Sequence, residues 1–260
     1  GRNSVITMMP VGSGNDVQYE LKGHLKQVNS LVFSGDGRFL WSASLDGKVI
    51  KWDIAAKSPS EFNTGGILIN SLDLSTDNVW LAGISNDGKV ELWNFTKPSD
   101  RSSVELPGKI IKTIDFRPGE NNLALGCSDG YVELWDIVAG RKISGLNAHT
   151  AGVNTIRFNP ALQQIATAGN DRTIRIWDEK DLTAPPVTLS DNEGYVMAIE
   201  FSPDGKMIVS GTYEGTNNLT GRATGADILA KEIYGLITRK LTPEEWSMYI
   251  GKDIEYQTLY

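Results

Sequence analysis

The sequence predicts an all-β protein in which four-stranded sheets repeat as blades around a central axis. Three observations carry that prediction. Tryptophans recur at Trp52, Trp93, Trp135 and Trp177, each near the end of a copy of one phrase: "SLDGKVIKWDI", "SNDGKVELWNF", "CSDGYVELWDI" and "GNDRTIRIWDE". A second landmark moves in step with them: "VNSLVF" from Val28, "INSLDL" from Ile69, "IKTIDF" from Ile111, "VNTIRF" from Val153 and "VMAIEF" from Val196. Between the two landmarks, turn signals recur at matching places, among them Asp46-Gly47, Asp87-Gly88 and Asp129-Gly130. A repeat of about 42 residues marks an array of one supersecondary unit, each copy burying its neighbour's faces.

Each unit reads as strands. In "VNSLVF", Leu31 and Phe33 fall on one face, the period-2 pattern of a half-buried strand. A turn follows, "SGDG" at Ser34 or "SPDG" at Ser202, then a second strand such as "FLWSAS", "VWLAGIS" or "NLALGC". Asp-Gly suits a tight two-residue hairpin, because glycine takes positive φ without a Cβ penalty. The third strand runs into the tryptophan, and a fourth follows, such as "RKISGL" from Arg141. A lone blade cannot cover both of its faces, so stacked neighbours must, with the indole filling the seam.

The chain ends depart from the pattern. "NSVITMMPV" aligns with a third strand lacking its tryptophan, and "DVQYEL" with a fourth. Repeat five has its first two strands, but "EGTNNLTG" stands where the third should be, with Asn217 and Thr220 at the apolar and tryptophan positions. Two arrangements follow. The N-terminal pair completes the last of five blades, or the chain is the C-terminal piece of a larger ring; the start in mid-unit favours the second, with self-association through exposed seams. The tail changes period: Leu229, Ile233, Leu236 and Ile237 share a helical face. In "LTPEEWSMYI", Thr242 caps, Pro243 starts and Glu245 closes a capping box. The expected division is a β-array over 1–222 and a helical extension over 223–260 packed upon it.

Composition narrows the function. Of 260 residues, 40% are hydrophobic, enough for a sizeable core, and 27 glycines against 5 methionines suit many turns better than a helical bundle. The net charge is −7 with no lysine–arginine cluster, which argues against nucleic-acid or anionic-membrane binding. No apolar run approaches the ~18 residues of a membrane span, and no signal-peptide pattern opens the chain. The lone Cys127, in the apolar run "LALGC", reads as a buried small hydrophobe with no disulfide partner. A cytoplasmic location is expected.

With Gly23-His24, the turn aspartates Asp46, Asp87, Asp129 and Asp171, and Trp52-Asp53, Trp135-Asp136 and Trp177-Asp178, the chain resembles the WD-repeat β-propeller family over roughly residues 20 to 215. Trp93-Asn94 is a near match. The resemblance implies buried hydrogen-bond relays of loop histidine, turn aspartate, strand hydroxyl and tryptophan. Two repeats hold the parts: His24, Asp46, Ser42 or Ser44, and Trp52; then His149, Asp171, Thr167 and Trp177. Repeats two and three lack the histidine and must hold their loops differently. The tail resembles the ending of bacterial WD-repeat proteins joined to a STAND-class NTPase or caspase-like domain.

Chemistry is sparse. "VGSGND" lacks the Lys-Ser/Thr of a phosphate-binding loop, and no cluster has metal-ligand spacing. Both histidines are assigned to the relays, leaving no base for a nucleophile. Neither enzymatic activity, a metal nor a cofactor is expected. One series, Val32, Asp73, Asp115, Arg157 and Glu200, charged at all but its first member, falls beside a propeller's axis. It forms either an ordinary solvent-filled channel or a site for an ion or small ligand, even a hydrolytic one. The resemblance further implies a partner-binding loop face with Leu45, Asn86, Ser128, Asn170 and Tyr213 before the turn positions, and Lys26 and Tyr195 in entry loops. The expected role is a non-catalytic scaffold or sensor that binds a protein partner, at the end of a bacterial multidomain signalling protein.

Overall fold

The computed structural model describes residues 4–9, 19–97, 101–213 and 219–225, and every regular element among them is a strand. A short pair comes first, β1 (Ile6–Met8) and β2 (Tyr19–Leu21). Blade one is β3 (Val28–Phe33), β4 (Phe39–Ser44), β5 (Val49–Asp53) and β6 (Ser58–Phe62). Blade two is β7 (Ile69–Leu74), β8 (Trp80–Ser85), β9 (Val90–Asn94) and β10 (Arg101–Val104). Blade three is β11 (Ile111–Phe116), β12 (Asn122–Cys127), β13 (Tyr131–Asp136) and β14 (Arg141–Asn147). Blade four is β15 (Val153–Phe158), β16 (Gln164–Gly169), β17 (Ile174–Asp178) and β18 (Val187–Leu189). Blade five is β19 (Tyr195–Phe201), β20 (Met207–Tyr213) and β21 (Leu219–Ala223). Each blade is an antiparallel meander, giving a five-bladed, all-β propeller. Of the helical extension expected over 223–260, Ala223 instead ends β21, and the residues after Gly225 lie outside the described residues.

Position in a blade decides composition. The second strands are sandwiched between blades on both faces, so β4, β8, β12 and β16 read as nearly continuous buried runs of apolar and small residues. The fourth strands form the outer rim, and β6 and β14 are correspondingly exposed. The core is divided into seams. One joins Ala124, Val132 and Ala148 of blade three to Ile156, Phe158, Ile165 and Trp177 of blade four. Another sets Trp41 and Val49 of blade one against Leu72, Leu74 and Trp93 of blade two. All four repeat tryptophans lie in or against such seams.

Every inner strand carries a register irregularity near its start, at Val28/Ser30, Ile69/Ser71, Ile111/Thr113, Val153/Thr155 and Val196/Ala198. Such a bulge re-aims one side chain per blade. The bulged residues are Asn29, Asn70, Lys112, Asn154 and Met197, and of these Asn29, Lys112, Asn154 and Met197 line the central cavity.

Two expectations need correction, and one of the two arrangements open for the N-terminal pair is set aside. The Asp-Gly pairs are not two-residue hairpins: the turn runs Ser44 to Gly47, closed by the Gly47 amide on the Ser44 carbonyl, and only Gly47 has positive φ (85°). The loop is therefore three residues, Leu45 to Gly47, a turn ending in a left-handed residue. Blade five does have a third strand. The link before β21 is two residues longer than before β17, so Leu219 and Arg222, not Asn217 and Thr220, take the apolar and tryptophan positions. Finally, β1 and β2 pair with each other in a sheet of their own and do not complete blade five. Their packing with Leu40, Ile50 and Trp52 places them beside blade one.

Candidate functional site

Two relays are assembled. His24 Nδ1 lies 3.0 Å from Asp46 Oδ2 and its Nε2 lies 2.7 Å from Ser42 Oγ, which accepts the Trp52 indole N–H at 2.8 Å. Ser42, not Ser44, is the hydroxyl member; Ser44 Oγ instead donates to the Lys26 carbonyl at 3.1 Å. In blade four, His149 contacts Asp171 and Thr167 at 2.8 Å each, and Trp177 donates to Thr167 Oγ1 at 3.0 Å. Because a carboxylate only accepts, Nδ1 carries the proton in both rings and Nε2 accepts from the hydroxyl. Burial pushes the His149 pKa down, which favours this neutral form. Burial acts to raise the Asp46 carboxyl, but hydrogen bonds from the Leu25 and Lys48 amides and from His24 outweigh it and hold the group low. The relays thus tie each entry loop to the strands beneath it.

The other blades use different chemistry. Register puts Gly83 and Leu125 where the relay hydroxyls stand in blades one and four. In blade three, Trp135 donates to Glu133 Oε2 at 2.8 Å, and Lys142 from the fourth strand pairs with Glu133 Oε1 at 2.9 Å. In blade two, Arg101 pairs with the buried Glu91 at 3.1 Å and lies over the Trp93 ring. In blade five, Arg222 occupies the tryptophan position and Nη1 donates to Ser210 Oγ at 2.9 Å, repeating the indole-to-hydroxyl bond with a guanidinium. Its Nη2 reaches Asn192, which stands where blades one and four carry histidine, and Asp191 completes the pairing. The spacing of Asn192 before Val196 equals that of His149 before Val153, a signal present in the sequence.

The channel series faces a central cavity of about 790 Å³. Its carboxylates are already engaged. Asp73 accepts the Phe116 amide at 2.6 Å and Asp115 accepts the Phe158 amide at 2.7 Å, so each pins the next blade's inner strand. Arg157 lies 3.5 Å from Asp115 and 3.0 Å from Glu200. Water reaches Asp73 through the cavity, yet protein surrounds it, and this desolvation pushes its pKa up to about 6. Asp115 is raised as well, by burial and by Asp73. Among the described residues, no group of His, Cys, Asp and Glu is arranged to hold a metal ion.

The loop-face residues Lys26, Leu45, Asn86, Ser128, Asn170, Tyr195 and Tyr213 are all exposed. Because inner strands begin, and second strands end, at the same end of each blade, all seven stand at that end. Tyr195 and Tyr213 are cross-strand partners. Further exposed apolar residues lie there: Leu25, Leu68, Ile110 and Met197. Leu68 and Ile110 immediately precede their landmark hexapeptides, a position the sequence marks without announcing its exposure.

In sequence, residues 15–53, 60–94, 140–178 and 184–219 match the family described as WD domain, G-beta repeat, together more than half of the chain. Most of blade three falls outside these matches, where Leu125 and Glu133 replace the usual relay parts. Among solved structures, the chain is similar to one described as "Structure of U3-55K", with a TM-score of 0.69 and 18% identity. The match covers 86% of this chain and 66% of that chain, and at such identity it speaks for the fold alone. With its repeats matched in sequence and its blades laid out in the structure, the chain belongs to the WD-repeat family of β-propellers, whose members typically act as protein-interaction scaffolds.

Proposed function

We propose that this propeller is a non-catalytic interaction module that takes a protein partner on the loop end carrying Leu45 and Tyr213. One observation carries the reading: Leu25, Leu45, Leu68, Ile110, Tyr195, Met197 and Tyr213, all large and apolar or aromatic, are exposed at that single end. Such side chains, set among Asn86, Ser128, Asn170 and Lys26, suit the anchors of a protein interface, where aromatic residues are enriched. The relays support the reading by fixing loops in blades one and four, which reduces the ordering needed on binding.

A finer reading rests on the sequence of the tail. "LTPEEWSMYIG" and the segment before it are similar to the ending of bacterial proteins in which such a propeller follows a STAND-class NTPase or caspase-like domain. On that basis the module is the sensing or scaffolding end of a cytoplasmic signalling protein. Partner binding would then relieve contacts with a catalytic domain elsewhere in the protein. The complete reading frame tests this: an upstream domain of either kind supports it, and any other neighbour removes it.

The binding end is tested with a purified partner. Tyr213→Ala and Lys26→Glu are expected to weaken its Kd at least tenfold while leaving the melting temperature within a degree or two. Undiminished binding by both variants would reject this end of the propeller.

A further inference from the structure

Four of the exposed apolar side chains at the loop end form one strip across blades one to three. Leu25 and Leu45 belong to blade one, where the Leu25 amide is held by Asp46 at 2.8 Å and the Leu45 amide bonds the Gln27 carbonyl at 2.9 Å. Leu68 of blade two reaches back over the blade-one turn: a Cβ on Gly47 would stand 2.9 Å from its Cδ2. Ile110 of blade three repeats this over blade two, where a Cβ on Gly88 would meet its Cγ2 at 3.3 Å. Each of these side chains thus bridges to the blade before it. All four are exposed, between 52% and 81%.

A lysine stands at each end of the strip. Lys26 follows Leu25, and Lys112 is the bulged residue two places after Ile110, lining the central cavity. Both are exposed, and neither has an ion-pair partner among the described residues. The other lysines of these loops are matched: Lys48 with Glu61 at 2.7 Å, Lys89 with Glu105 at 3.1 Å, and Lys109 with Asp129. Unmatched ammonium groups beside an apolar strip, in a chain of net charge −7, call for carboxylates from outside. Blade two separates the two lysines, so one phosphate cannot bridge them, whereas carboxylates spaced along a peptide can. Two isolated cations also fall short of the basic patch that a nucleic acid needs. The opposite end of the propeller is unsuited to an acidic segment, because Asp36, Asp77 and Asp204 stand exposed in its turns.

We infer that the partner docks through a peptide segment whose apolar side chains are flanked on both sides by Asp or Glu. The apolar residues rest on Leu45, Leu68 and Ile110, and the flanking carboxylates meet Lys26 and Lys112. Burial of the apolar strip supplies most of the affinity, while the charges fix the register and speed encounter. This rests on the reading that the loop end takes a protein partner, and it adds the chemistry of the segment bound there.

The test selects random peptides displayed on phage against the chain from Gly1 to Tyr260, then measures the enriched peptides against variants. Enriched peptides are expected to carry apolar residues with Asp or Glu on both sides. Lys112→Glu should weaken their Kd about tenfold or more, whereas Lys112→Arg should hold it, and Lys180→Glu at the opposite end should leave it unchanged. Salt at about 0.5 M should weaken binding as well. Lys26→Glu reads the same effect at the other end of the strip, so a loss of melting temperature at one lysine does not decide the outcome. Peptides without acidic residues, or peptides indifferent to both lysine reversals but weakened by Leu68→Ala or Tyr213→Ala, would overturn the acidic chemistry and leave the loop end as the binding end. Peptides indifferent to all four variants would overturn the loop-end reading too. Enrichment of no peptide, or tighter binding of a random oligonucleotide pool, would also overturn the inference.

Discussion

Thr167 shows how much one hydroxyl carries. It satisfies both His149 Nε2 and the Trp177 indole from a fully buried position. Thr167→Val keeps the shape and strands both partners, so it should destabilise by about 2–4 kcal/mol in urea unfolding. Asp73 offers a contrary case, a buried acid with raised pKa. Such a group binds its proton more tightly when folded, so its contribution favours folding below the unfolded value and fades as pH rises through the folded one. Asp73→Asn keeps an acceptor for the Phe116 amide but cannot ionise. Relative to wild type, the variant should therefore gain about 2 kcal/mol as pH climbs from 4 to 7, read from denaturant midpoints across that range. The His149 shift acts in the opposite sense in both proteins and cancels in the comparison, whereas Asp115 loses in the variant the part of its shift that Asp73 causes, which adds to the gain in the same direction. Both relays were legible in the sequence because histidine, hydroxyl and aspartate are chemically distinctive. Arg222 was not: a guanidinium can mimic an indole donor only once geometry shows what it faces.

At the scale of the blade, the repeat fixes the path of the backbone and leaves its fastening open. Blades one and four use a neutral relay, whereas blades two and three use a buried glutamate held by a rim cation. Glu133→Ala removes the acceptor of the Trp135 indole and should cost about 1–3 kcal/mol. Lys142→Ala, whose side chain is 41% exposed, should cost under about 1 kcal/mol, because water can replace a surface partner. Equal losses from the two, measured by thermal melting, would contradict this division of roles. Strand order, pairing and the buried second strands were all readable from the periodicity. The turn type and the third strand of blade five were not. A three-residue loop and a two-residue loop share the Asp-Gly signal, and a longer link displaces the expected tryptophan position without leaving a mark.

Over the whole molecule, stability is collective, since each seam draws its side chains from two blades. Ile156→Ala, in the seam between blades three and four, should cost about 2–5 kcal/mol and lower a single cooperative transition, not release one blade. Two resolved transitions by calorimetry would show that blades melt separately. The exposed loop end could be anticipated only in part, because Leu68 and Ile110 look like strand residues until the bulges set where the inner strands begin. One property of the assembled molecule has a practical use. Its single thiol, Cys127, is buried in the seam between blades two and three, where burial pushes its pKa up to about 11. Maleimide dyes and spin labels need an accessible thiolate, so the native protein should be silent to them. A cysteine introduced at Tyr213 would then take up a probe alone, turning the intact propeller into a reporter of whatever settles on that end.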